Sequence, residues 1–271
     1  MSPTENKRRC RIVVLCGPNL THRNTCATLI HAGLDVAGIC VANQRTHGIP
    51  LAYLRRSFSR EGLCATLSHV LARMVYSVPN AGKDRQIMTR IFDEPVIARI
   101  LRDWNGPVHQ THDYSAQETI AWIDSHRPDI LVVHTPYWVG ARVRKLARTG
   151  IVLGGHPGIT PDYRGSHSAF WAIYRGKPQD VGCTVFLVDN GVDTGPIVSQ
   201  DRIPIERGDS FVTLSWKGMK RIAEMQADAL LHLDAGRELP RQVVPVPPGS
   251  EYRNPGLLEF LQYRWRQRLV R

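Results

Sequence analysis

The chain alternates short, β-branched apolar runs with longer stretches whose apolar residues recur at helical spacing. Arg11–Cys16 is the first such run; Gly17-Pro18-Asn19 closes it, so it reads as a buried strand. Thr21 is placed to cap a helix reaching about Ala32, and Asp35–Val41 reads as a second strand. Strand, helix, strand predicts a parallel pair with a right-handed crossover. Val108–Thr111, Asp129–His134, Gly150–Leu153, Gly182–Asp189 and Gly195–Ile205 supply further strands. Between them, Ser115 opens a helix by capping-box logic with Glu118, and Gly140–Arg148, Ser166–Tyr174 and Ser210–Leu233 read as helices. The predicted fold is α/β, a Rossmann-like, mostly parallel sheet with helices on both faces.

Two regions break this rhythm. Residues 43–107 form a helical excursion, with helices in Ile49–Tyr76 and Arg85–Trp104 joined by a Ser77–Lys83 linker. From Gly236 the chain is rich in proline and reads as a short irregular tail, closed by a basic helix at Leu257–Leu269. The expected organisation is a disordered lead-in over 1–10, one catalytic domain over 11–235 and a basic tail over 236–271.

Composition narrows the class. In 271 residues, 42% hydrophobic content is enough for a globular core, and no apolar run reaches the length of a membrane span. The first residues are basic, with no apolar stretch behind them, so no secretory signal is expected and the expected compartment is the cytoplasm. None of the six cysteines forms a CxxC pair; reduced thiols and no metal are expected. A net charge of +11 points to an anionic partner. A basic RNA-binding protein is a competing class, and its binding would fall steeply with salt.

Ligands of parallel α/β sheets bind at the carboxyl ends of the strands. The loops Gly17–Asn24, Thr135–Val139 and Gly154–Gly165 meet there, and Asn190–Thr194 joins them if its strand is adjacent. His156, between Gly-Gly and Pro-Gly, and Asp193, between glycines, form a candidate acid–base pair. Thr21-His22-Arg23-Asn24 opens a helix after the first strand and reads either as an ordinary threonine cap or as an anion site for the substrate. Arg164 and His167 are further substrate-binding candidates, although Tyr163-Arg164-Gly165 reads equally as a structural turn.

Residues 129–205 resemble the catalytic core of the folate-dependent formyltransferases. The likeness rests on His156-Pro157, Pro161-Asp162-Tyr163-Arg164-Gly165, Phe170-Trp171-Ala172, Gly182-Cys183-Thr184-Val185 and Gly191-Val192-Asp193-Thr194-Gly195. The resemblance implies that His156 donates to a formyl oxygen and that Asp193 pairs with it and helps take the proton of the attacking amine. It implies 10-formyltetrahydrofolate as formyl donor, held by Tyr137, Trp138 and Val139 and by Val188, Asp189, Asn190, Gly191 and Val192. The family works with an asparagine two residues before its histidine; Gly154 stands there, the third catalytic position. Phe186 occupies a position where many relatives have histidine.

Members that formylate initiator methionyl-tRNA carry an extra C-terminal β-domain, for which the tail after Leu233 is too short, so nucleic acid is disfavoured. The compact form resembles bacterial formyltransferase-like proteins associated with amino sugars and surface polysaccharides. The implied acceptor is a small anionic amine, a nucleotide-linked amino sugar. A catalytically degenerate folate or nucleotide binder and acyl transfer to a natural-product amine are the alternatives. A homodimer is a further expectation, with apolar faces in 43–107 or the tail to serve it.

Overall fold

A computed structural model describes residues 9–43 and 51–270, without the side chains of 51–61, 77–79 and 267–270. Of the expected lead-in, 1–8 lie outside these residues, as does 44–50 of the helical excursion.

Seven strands form one sheet: β1 (Ile12–Cys16), β2 (Val36–Ala42), β3 (Val108–Thr111), β4 (Ile130–His134), β5 (Ile151–His156), β7 (Gly182–Leu187) and β8 (Ile197–Arg202), in the order β3-β2-β1-β4-β5-β7-β8. β3, β2, β1, β4 and β5 are mutually parallel; β7 is antiparallel to β5, and β8 is antiparallel to β7. Central strands are buried on both faces, which is why they read as unbroken apolar runs. One face carries Ile12, Val14, Val132 and Leu153 against α1 (Leu20–His31) and α7 (Phe211–Asp234). The other carries Val13, Leu131 and Val152 against α4 (Gln117–Ser125) and α5 (Ala141–Arg144). The α/β, mostly parallel architecture is as expected. Ser210 does cap α7: its hydroxyl accepts from Thr213 N, and the Thr213 hydroxyl from Ser210 N.

Several local expectations need correction. The proposed linker Ser77–Lys83 is helical, inside α2 (Leu51–Ile91), whose interruption falls instead at Gly62, with φ 83°. Tertiary bonds override the local signal: buried Asp84 accepts from the hydroxyls of Tyr76 and Ser210, tying α2 to the start of α7. α3 (Glu94–Trp104) follows, capped by Asp93. Thr21 is not a cap; α1 begins at Leu20, with Asn19 before it supplying a backbone carbonyl. Ser115 does not cap α4, because Asp113 captures its N–H and hydroxyl in a tight turn. The basic helix expected over 140–148 shrinks to the single turn of α5, since Arg148 N and Thr149 N bond the carbonyls of Pro128 and Asp129.

β5 runs through Gly154 and Gly155 to His156, because β7 pairs with it there; His156 ends the strand and does not follow it. The tail is more ordered than its composition implies. β9 (Glu251–Tyr252) pairs with the short β6 (Arg164–Gly165), and α8 (Leu257–Val270) packs on α6 (Ser168–Tyr174). Cys10 N bonds the Asp234 carboxylate, so the described end of the lead-in is anchored.

Candidate active site

A cleft of about 520 Å³ opens at the carboxyl ends of β4 and β5, beside His22 of α1, in the range of small-molecule sites. β5 and β6 supply His156 and Gly165; the loop after β7 supplies Gly191, Val192 and Asp193. His156 Nδ1 lies 3.2 Å from Asp193 Oδ2. Asp193 is held in the left-handed region, φ 51°, an arrangement that costs energy for a non-glycine residue and persists where surroundings enforce it. Gly165 N donates to the same carboxylate at 3.1 Å.

The other face of the imidazole is also engaged. His156 Nε2 lies 2.9 Å from Tyr163 O and 2.8 Å from Ser168 Oγ, and the residue is 6% exposed. A ring donating from both nitrogens satisfies both the carboxylate and the carbonyl. For His156 to donate to a substrate oxygen, one of these bonds must open. Asp193 is the more open member of the pair. Ser168 and Tyr163 escaped the sequence reading, since no spacing links them to His156.

Gly154 lies in the cleft wall. A Cβ there would sit 2.8 Å from Val188 Cγ2 and 3.1 Å from the Phe186 ring, so these side chains occupy the room a larger residue would need. Of the expected donor-binding residues, Tyr137, Trp138, Val139, Val188, Gly191 and Val192 line the cleft. Asp189 and Asn190 do not: Asp189 shapes the turn by accepting from Gly191 N and Thr194 Oγ1, and Asn190 Oδ1 accepts from Arg144.

Among the expected substrate-binding residues, only His22 reaches the cleft. Thr21 and Asn24 are buried on α1, and Arg23 pairs with Glu94 at 3.4 Å. Arg164 is buried and donates to Val192 O and Ser250 Oγ, bracing the loop that carries Asp193. His167 packs against Phe211, and burial lowers its pKa. The described lining contains no lysine or arginine.

The sequence reading also missed His134, the last residue of β4, although its place at a strand's carboxyl end was a usable signal. It stands 5.4 Å, edge to face, from His22. Thr25 Oγ1 lies 3.0 Å from His134 Nδ1, while His134 Nε2, His22 Nδ1 and the neighbouring Gln226 amide make no geometric hydrogen bond. Burial pushes the His134 pKa down to about 3 and that of His22 to about 4. Among the described residues no cluster of metal-ligating side chains occurs, and no helix is long and apolar enough to cross a membrane.

Comparison with known proteins bears on this geometry. GDP-perosamine N-formyltransferase of Brucella melitensis is 33% identical over 110 residues, 40% of this chain and 42% of that protein. Methionyl-tRNA formyltransferase of Chlorobium limicola is 31% identical over 130 residues, 48% of this chain and 40% of that one. The matched stretch thus spans less than half the length of either relative. Among solved structures, a sugar N-formyltransferase from a Shewanella species superposes with a TM-score of 0.56 at 14% identity, covering 95% of this chain and 87% of that one. Phosphoribosylglycinamide formyltransferase from Anaplasma phagocytophilum gives 0.55 at 13% identity, over 84% and 89%. At such identities these likenesses establish the fold. Residues 68–232, more than half of the chain and including His156 and Asp193, match the family described as Formyl transferase, and the chain belongs to that family.

Proposed function

We propose that the chain is an N-formyltransferase that moves a formyl group from 10-formyltetrahydrofolate to the amine of a small anionic acceptor, a nucleotide-linked amino sugar. The observation that carries this reading is the His156–Asp193 pair, 3.2 Å apart, in a cleft of small-molecule size. The cleft also suits the donor. Trp138, 60% exposed, and Tyr137 offer aromatic surface to a flat bicyclic ring, and Val139, Val188 and Val192 add apolar wall.

When bound, the donor supplies an electrophilic formyl carbon. As the amine nitrogen attacks, it must shed a proton while negative charge gathers on the formyl oxygen. Asp193 takes that proton, His156 beside it supplies compensating positive charge, and the proton passes to the folate nitrogen as its bond to the formyl carbon breaks and tetrahydrofolate leaves. Gly154 brings no carboxamide to this task, so polar groups other than a residue-154 side chain stabilise the oxygen. Polysaccharide assembly is the class of reaction that would consume such a product.

Gly154 favours a second reading, a catalytically silent folate or nucleotide binder. Calorimetry with 5-formyltetrahydrofolate, followed by an amine panel led by nucleotide amino sugars, separates the two. Micromolar binding with turnover that His156→Ala removes is the expected result. Binding with no turnover of any amine supports the silent binder, and no binding to folded protein removes the folate-dependent reading.

A further inference from the structure

We propose that the outer face of α2 and α8 is where a second copy of this chain docks, forming a two-fold symmetric dimer. Leu63, Leu67, Leu71, Met74 and Val75 on α2, with Leu258, Leu261 and Trp265 on α8, are between 38% and 75% exposed. The inward faces of the same helices are conventional: Thr66, His69 and Ala72 on α2, and Phe260 and Tyr263 on α8, are buried. Each helix therefore carries apolar residues on two sides, and among the described residues only one side is covered. The helices adjoin: Leu257 N donates to Ser68 Oγ at 2.8 Å, and the Phe260 ring meets Tyr76 edge-on.

Three observations favour a second copy as occupant. Leu63, Leu67, Val70 and Met74 follow one another in steps of four, three and four, the heptad seam by which one helix packs on another. A seam of this spacing pairs with a copy of itself about a two-fold axis. Arg73 is the one fixed charge between Gly62 and Tyr76, so the α2 part of the face carries little charge, as interface centres do. At these exposures the eight side chains present on the order of 800 Å², what each partner contributes to an interface of standard size.

Equilibrium sedimentation of the full chain tests this directly. Dimers at micromolar concentration are expected. Leu67→Glu with Met74→Glu, on exposed positions, is expected to give monomers with unchanged far-UV circular dichroism and melting temperature. Trp265→Ala is expected to weaken the dimer about tenfold or more. A wild-type chain that stays monomeric, or a dimer that survives the double glutamate variant, overturns the proposal. A monomer that co-sediments with phosphatidylglycerol vesicles overturns it too and gives the face to a lipid surface.

Discussion

Two histidine environments share one cleft, and they differ by a carboxylate. His156 is buried but has Asp193 on one nitrogen and a carbonyl on the other, so positive charge on its ring has partners. His22 and His134 are as deeply buried, edge to face, with no acid beside them in the cleft lining, and burial holds both uncharged. Burial alone therefore does not set what an imidazole does. The loop that brings Asp193 into the left-handed region creates the difference, and with it a pair able to move a proton.

The sharpest way to break this contrast is to remove the acid. Asp193→Asn should cut formyl transfer by roughly a thousandfold while 5-formyltetrahydrofolate still binds, as steady-state kinetics and calorimetry would show. Retained activity would sink the role given to the pair. Next in size is Gly154→Asn. A side chain there runs into Val188 and Phe186, so stability should fall by about 1–3 kcal/mol and activity should drop, as thermal melts and kinetics would show. A gain of activity would mean that the wall yields and that the glycine marks decay.

The uncharged pair gives a stability test. In the unfolded chain both histidines take up protons near pH 6.5; in the folded protein they do so only near 4 and 3. The unfolded state then binds more protons, so stability is full above about pH 6.5 and is lost as pH falls toward 4. The loss is about 1 kcal/mol per pH unit for each histidine. His134→Leu should flatten the pH dependence of urea midpoints over that window; an unchanged slope would contradict the buried, neutral state. The smallest effect is expected at the lip of the cleft: Trp138→Ala should raise the donor KM several-fold and leave kcat nearly unchanged. A fall in kcat of the same size would move Trp138 closer to the reacting atoms.

The strands were legible because each is a compact apolar run, and β1, β2, β4 and β7 lie where the pattern puts them within a residue or two. His156 and Asp193 were legible because glycines frame each, and their meeting follows from β7 lying beside β5. What failed was local chemistry overruled from a distance. Ser77–Lys83 reads as a break, yet helix α2 continues through it because Asp84 is claimed by Ser210, far along the chain. Thr21-His22-Arg23-Asn24 reads as an anion site, yet Arg23 turns to Glu94 and only His22 faces the cleft. His134 was hidden by its strand, where it resembles one more core position.

The β6–β9 pairing has a consequence for synthesis. Arg164 and Gly165, which brace Val192 and Asp193, are themselves held by Ser250–Tyr252, 86 residues further along the chain. At about 5–20 residues per second, a ribosome needs roughly ten seconds to supply that strand after the loop has been made. From the time residue 193 is made until residues 250–252 follow, the nascent protein has both reacting side chains but lacks the brace that sets their spacing. Assembly of the cleft is thereby timed late, after the core that surrounds it.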